Sequence, residues 1–190
     1  MPRRKTAEGE VATPTNGLLL AAAMAEFNDH GFDGTDSNRI ARRAGFAPQT
    51  FYRWYKDKLA IFIAAYGAWT MEEGRQLQAL IARDAPAVDL AEAGVAHHRS
   101  HLKFRRSLRR LSVEEPLMRA ARADSRRRQV EQIRQWQGIA PQPVEAVAAA
   151  LLQLERLTDA LAEGEFADMG VGETAARETL AGLIRSLRPN

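Results

Sequence analysis

The chain has no cysteine among its 190 residues. That excludes a disulfide framework, a zinc–thiolate site and a thiol nucleophile, and it suits a reducing compartment. Lysine is scarce: Lys5, Lys56, Lys58 and Lys103 are the only four, so positive charge is carried almost wholly by arginine. Arginine's planar fork suits phosphate and guanine recognition. No apolar run approaches the ~20 residues needed to cross a bilayer. Leu18–Ala25, behind Arg3, Arg4 and Lys5, has the outline of a signal-peptide core. Glu8 and Glu10 interrupt it, however, and it runs on into Glu26 and Asp29, so it is read as a helix. A cytoplasmic location without membrane association is expected. Alternating apolar and polar runs are missing, which argues against strands, and no internal repeat is present.

What is present is the make-up of a folded globular chain, 45% hydrophobic and 27% charged. The net charge of +3 permits nucleic-acid binding without arguing for it. Apolar residues recur at helical spacing over residues 18–29, 36–44, 48–54, 57–82, 88–101, 103–112, 116–136, 143–163 and 173–187. Proline and glycine punctuate these tracts, notably at Gly31, Gly45, Pro86, Pro116, Pro143 and Gly164. The expected fold is all-α with about nine helices. Residues 1–17 are poor in bulky apolar groups and are read as a flexible basic arm. Arg3-Arg4-Lys5 could reach a minor groove from there, or the arm could simply be solvated. Residues 18–60 make a small three-helix unit around Leu20, Met24, Phe27, Phe32, Ile40, Phe46, Phe51 and Tyr55. Such a core is thin for independent stability. Residues 61–190 make a larger helical domain, and the long helix over 57–82 belongs to both.

The most specific stretch is Thr35–Leu59. Thr35 is suited to cap the second helix, and Gly45 stops that helix, because glycine takes the left-handed conformation without a Cβ clash. Pro48 fits the first turn of the next helix, where its missing N–H is no loss. Helix, glycine turn, helix is the sequence form of a helix-turn-helix. Its second helix carries Gln49, Thr50, Tyr52, Arg53 and Trp54. Gln49, Thr50 and Arg53 have donors and acceptors for base edges in a major groove. Tyr52, Lys56 and Lys58 can hold phosphates, and Tyr52 and Trp54 can pack on sugar or thymine methyl groups. The alternative is a surface helical hairpin whose aromatics are core.

Over Leu19–Phe62 the order and spacing of residues resembles the tetracycline-repressor (TetR) family of bacterial transcription regulators. The residues that carry it are Leu20, Ala22-Ala23, Phe27, Gly31-Phe32, Thr35, Ile40-Ala41, Ala44-Gly45, Thr50-Phe51-Tyr52 and Tyr55-Lys56-Asp57-Lys58. The resemblance covers about the first third of the chain; the remainder is similar in layout alone. It implies a helix-turn-helix DNA-binding domain followed by a larger ligand-binding and dimerisation domain. It implies a homodimer on a palindromic DNA operator, with recognition helices ~34–36 Å apart, released by a small-molecule effector. DNA contacts would come from Ser37, Asn38, Pro48, Gln49, Thr50, Tyr52, Arg53, Trp54 and Lys58. Three positions depart from the family's habit. Ala47 stands where a capping serine is usual, Gln49 replaces a frequent glycine, and Glu26 lies where leucine is common and is expected to face water.

Candidate effector contacts are the large side chains Trp69, Phe104, Met118 and Trp136 together with His97 and His101. The plainer reading of the four apolar groups is ordinary core. His97 and His101 are four apart on a helix, a spacing that can share a metal, but no carboxylate or cysteine lies near them in sequence. They are read as pocket or interface histidines, and neither metal nor cofactor is expected. A metal-dependent enzyme using His97, His98 and His101 is the remote alternative, since no nucleophile, carboxylate pair or phosphate loop accompanies them. A DNA-binding regulator without effector is the nearer one. From His97 to Arg134 twelve arginines and lysines face four acids, whereas the last two helical tracts are acidic. Cross-helix pairing and solvated faces account for most of this, with a second nucleic-acid surface as the alternative. Apolar stripes over 143–163 (Val144, Val147, Leu151, Leu154) and 173–187 (Ala176, Leu180, Leu183, Leu187) suit a four-helix bundle between two subunits. They could equally close the core of one subunit.

Overall fold

The computed structural model describes residues 15–188, and within them there are ten helices and no strand. They are α1 (Thr15–His30), α2 (Ser37–Arg43), α3 (Pro48–Tyr52), α4 (Lys58–Ile81), α5 (Ala87–Arg99), α6 (Leu102–Glu114), α7 (Pro116–Gln137), α8 (Val144–Glu163), α9 (Glu165–Asp168) and α10 (Thr174–Ser186). Nine match the expected tracts. The addition is α9, a single turn set off from α8 by Gly164 at φ +81°. The arm's residues 1–14 lie outside the described residues, and Thr15, Asn16 and Gly17 already belong to α1.

Local chemistry fixes the head. Asp36 caps α2 by accepting from the Arg39 N–H at 2.8 Å, and Asp57 caps α4 by accepting from Ala60 at 2.7 Å. Gly45, at φ +80°, makes the turn from α2 to α3. Gly34 is needed for space, since a Cβ there would meet the His30 carbonyl oxygen at 2.2 Å. α3 starts at Pro48 behind Ala47, which has no capping side chain.

Two expectations fail here for one reason. Thr35 does not cap α2; its hydroxyl donates to Glu26 at 2.8 Å, and Asp36 takes the capping place. Glu26 does not face water; it is 5% exposed. The buried stripe of α1 is Leu19, Ala22, Ala23, Glu26 and Phe27, one residue out of step with a stripe centred on Leu20. This phase puts position 26 inward. The carboxylate is tolerated there because Thr35, Arg43 (3.1 Å) and Arg39 (3.2 Å) surround it.

The largest apolar core runs from Leu19, Phe27, Ile40 and Phe51 through Ile61, Phe62 and Trp69 to Phe104, Leu108 and Met118. Phe62 stacks edge-on to Phe27 and Phe32 and also packs on Phe104. The head therefore shares its core with α6 and α7, which supplies the burial that three short helices lack. A second cluster (Ala91, Val95, Leu161, Ala176, Leu180) joins α5, α8 and α10. A third (Val130, Val147, Leu151, Leu187) joins α7 to α8 and the C-terminal end.

Candidate DNA-facing surface and ligand cavity

Five residues of α3 and its exit sort by burial. Phe51 is fully buried and anchors the helix, while Gln49, Tyr52, Arg53 and Trp54 are exposed and Thr50 is half-buried. Tyr52 and Trp54 are 57% and 51% exposed, large apolar surfaces that the core does not use. Asn38 is exposed beside them at the start of α2; Ser37 and Pro48 are half-buried. The face thus presents an amide, a guanidinium, a phenol and an indole on a short rigid helix.

Lys58 is the exception among the expected contacts. Its ammonium donates to the carbonyls of Phe32 (2.7 Å) and Thr35 (2.9 Å) and lies 4.2 Å from the centre of the Phe32 ring. Burial pushes its pKa down, although Asp33 and Asp36 act the other way. An ammonium held by two carbonyls is a brace between the α1–α2 loop and α4, not a free phosphate ligand.

The body encloses a cavity of about 420 Å³ between α4, α5, α7, α8 and α10. That is within the range of small-molecule sites, ~300–1,000 Å³. Its wall is mainly apolar, with Leu77, Ile81, Leu151, Leu154 and Ile184, and has aromatic groups from Tyr66, Trp69 and Trp136. Glu73, His98, Arg105, Gln129 and Glu155 form its polar part. Of the six effector contacts expected from sequence, Trp69 and Trp136 line it. Phe104 and Met118 are fully buried in the main core instead. His97 and His101 face a separate groove of about 300 Å³ against α1, and His97 stacks on Trp69 at 4.6 Å between ring centres. The histidine that reaches the cavity is His98, one helical step of about 100° away. Among the described residues no group of three or more His, Cys, Asp or Glu is placed to hold a metal ion.

Behind the polar wall lies a buried ionic network that sequence did not reveal. Asp159 on α8 is 3% exposed and accepts both arms of Arg105 at 2.8 Å, while Arg109 stands 3.1 Å away. His98 sits between two carboxylates, with Nδ1 2.8 Å from Asp159 and Nε2 3.1 Å from Glu73 of α4. A neutral imidazole has one N–H, so two carboxylate partners require the doubly protonated ring. Burial disfavours that charge, but the bonds to Asp159 and Glu73 outweigh it and raise the His98 pKa above its ordinary value. Burial likewise opposes the Asp159 carboxylate, yet His98 and Arg105 hold its pKa far below the usual range. His97, its neighbour, is pushed the other way, chiefly by burial. Farther along α7, Arg122 and Arg126 close on Glu155 of α8. Much of the arginine excess on α6 and α7 is thus consumed by the acids of α8, the cross-helix pairing expected from charge.

At the far side, α8 and α10 keep apolar groups outside. Val144 and Leu152 are exposed, and Leu152, Leu157, Phe166, Met169 and Leu183 line a shallow groove between these helices and α9. No helix among the described residues is long and apolar enough to cross a membrane.

Comparison with known proteins places this architecture. Residues 19–65 match the family model of bacterial regulatory proteins of the tetR family. No curated protein matches the chain. Among solved structures, a protein assigned to the TetR-family transcriptional regulators of Rhodococcus sp. has a TM-score of 0.70 at 19% identity, covering 91% of this chain and 97% of that one. The fatty acid degradation regulator FadR of Bacillus halodurans has 0.62 at 12%, covering 92% and 96%. A TetR family transcription regulator from Marinobacter aquaeolei has 0.53 at 19%, covering 91% and 94%. At such identities these likenesses establish the fold.

Proposed function

We propose that this chain, a TetR-family protein by its helix-turn-helix head and its fold, is a transcriptional repressor that a small molecule releases from DNA. It binds a palindromic operator as a homodimer. Gln49, Thr50 and Arg53 read base edges, while Tyr52, Trp54, Ser37, Asn38 and Pro48 position the head on backbone and methyl groups. The observation that carries this reading is the pair Tyr52 and Trp54, half or more exposed beside Arg53 on a helix whose own anchor is Phe51. Lys58 acts from inside, as the brace of the head on α4.

The exposed apolar groups of α8 and α10 support a four-helix contact with a second copy. The cavity favours an effector over a regulator that works without one. α4 connects the two functions: its first turn is braced to the head, and its later turns give the cavity Tyr66, Trp69, Glu73, Leu77 and Ile81. A ligand that displaces α4 alters the spacing of the two recognition helices, and a coupling of ~1–3 kcal/mol suffices.

Selection of genomic fragments by the full-length protein tests this. Enrichment of one palindromic site, with binding that falls steeply with salt, is expected. Absence of any enriched site would contradict it.

A further inference from the structure

The charged groups of the cavity wall differ in how far their partners already satisfy them. Arg105 is 2% exposed and carries Asp159 on both arms. Glu155 accepts from Arg122 and Arg126 on its two oxygens. His98 is held between Asp159 and Glu73. Glu73 alone keeps a free valence: among the described residues its Oε1 meets His98 and its Oε2 has no partner. The Gln129 side-chain oxygen is a second free acceptor, buried without a hydrogen bond. On the donor side, the Trp69 indole N–H is likewise buried and unpaired, but it is neutral. An incoming carboxylate would meet Glu73 with one neutral donor to offset the repulsion. An incoming cation would meet the Glu73 carboxylate, a second acceptor and the aromatic walls of Tyr66 and Trp136, which favour cations through their ring faces.

We infer that the cavity takes a lipophilic organic cation, a protonated amine seated on Glu73 with its apolar body along Leu77, Ile81, Leu151 and Ile184. This deepens the reading of the cavity as the effector site and rests on it. It sets this chain's ligand chemistry apart from an acyl carboxylate. Because Glu73 belongs to α4, the bound amine competes with His98 for the helix that supports the head.

The test compares decylamine, decanoate and decanol, which share one chain and differ in head group. Each is titrated into the full-length protein below its aggregation limit at neutral pH, read by tryptophan fluorescence, since Trp69 and Trp136 are in the wall. Decylamine is expected to bind tighter than decanoate by about tenfold or more, the effect of one paired charge. Glu73→Gln is expected to remove that preference and keep decanol binding. The three-ligand comparison on the unsubstituted protein stands even if the variant unfolds. Decanol or decanoate binding as tightly as decylamine overturns the cationic head and leaves the effector cavity in place. A preference that survives in folded Glu73→Gln overturns the assignment to Glu73. No binding of any of the three overturns both the inference and the cavity's role.

Discussion

The head and the body each bury a carboxylate, and they surround it differently. Glu26 in the head is met by Thr35 and by Arg39 and Arg43, whose side chains are each about 40% exposed. Its partners lie within 17 residues in sequence and tie α1 to α2. Asp159 in the body is met by Arg105 and His98, both buried, and ties α5, α6 and α8 together. Through His98 and Glu73 the tie extends to α4. Half-solvated arginines can turn to water if their carboxylate is lost, whereas buried ones cannot. The head network therefore adjusts a local packing choice, and the body network determines whether the cavity's polar wall exists at all.

The largest effect expected from this contrast is that of Asp159→Asn. It leaves Arg105 and His98 charged and uncompensated, at a cost of ~3–5 kcal/mol in unfolding free energy. Denaturant unfolding measures it, and a loss below about 1 kcal/mol would place the two networks on the same footing.

Next comes pH. The Asp159 pKa is depressed, so its contribution is complete above the unfolded value of ~3.9 and is lost as pH falls towards its native value. The His98 pKa is raised, so its contribution is complete below the unfolded ~6.5 and is lost as pH rises through its native value. The body is expected to be most stable between about pH 4 and 6.5. His98→Gln should lower stability by ~1.5–3 kcal/mol at about pH 5.5 and flatten the decline above 6.5. Unfolding curves at acid, neutral and alkaline pH check both. A smaller effect belongs to the head: Glu26→Gln should cost about 1 kcal/mol, since an amide oxygen still accepts from Thr35. The smallest is a gain, ~0.5–1 kcal/mol from Ala47→Ser, which supplies the missing cap of α3.

The same contrast explains what could be read in the chain. The head's signals are local. Gly45 and Pro48 bracket a turn, and Phe51, Tyr52 and Tyr55 fall at fixed offsets from it, so α1–α4 were legible to within a few residues. What went astray there was phase: Leu19 rather than Leu20 faces the core, which buried Glu26 and drew Thr35 from its capping place to Glu26. In the body the helices were legible from their prolines and glycines, but the cavity wall was not. Asp159 lies 54 residues from Arg105 and 61 from His98, and no local pattern marks such partners. The choice of His97 and His101 over His98 was one helical step in error for the same reason. Acids concentrated on α8 opposite arginines on α6 and α7 were the one signal of that network available in the sequence.

The account turns on the exposed face of α3, and the double variant Tyr52→Ala/Arg53→Ala tests it most directly. Fluorescence anisotropy with a selected operator fragment, paired with melting and mass measurements in solution, separates binding from folding. The expected result is a loss of about a hundredfold or more in affinity, ~3 kcal/mol, with melting temperature and mass unchanged. Operator affinity unchanged in the folded double variant would contradict the assignment of α3 as the DNA-reading helix.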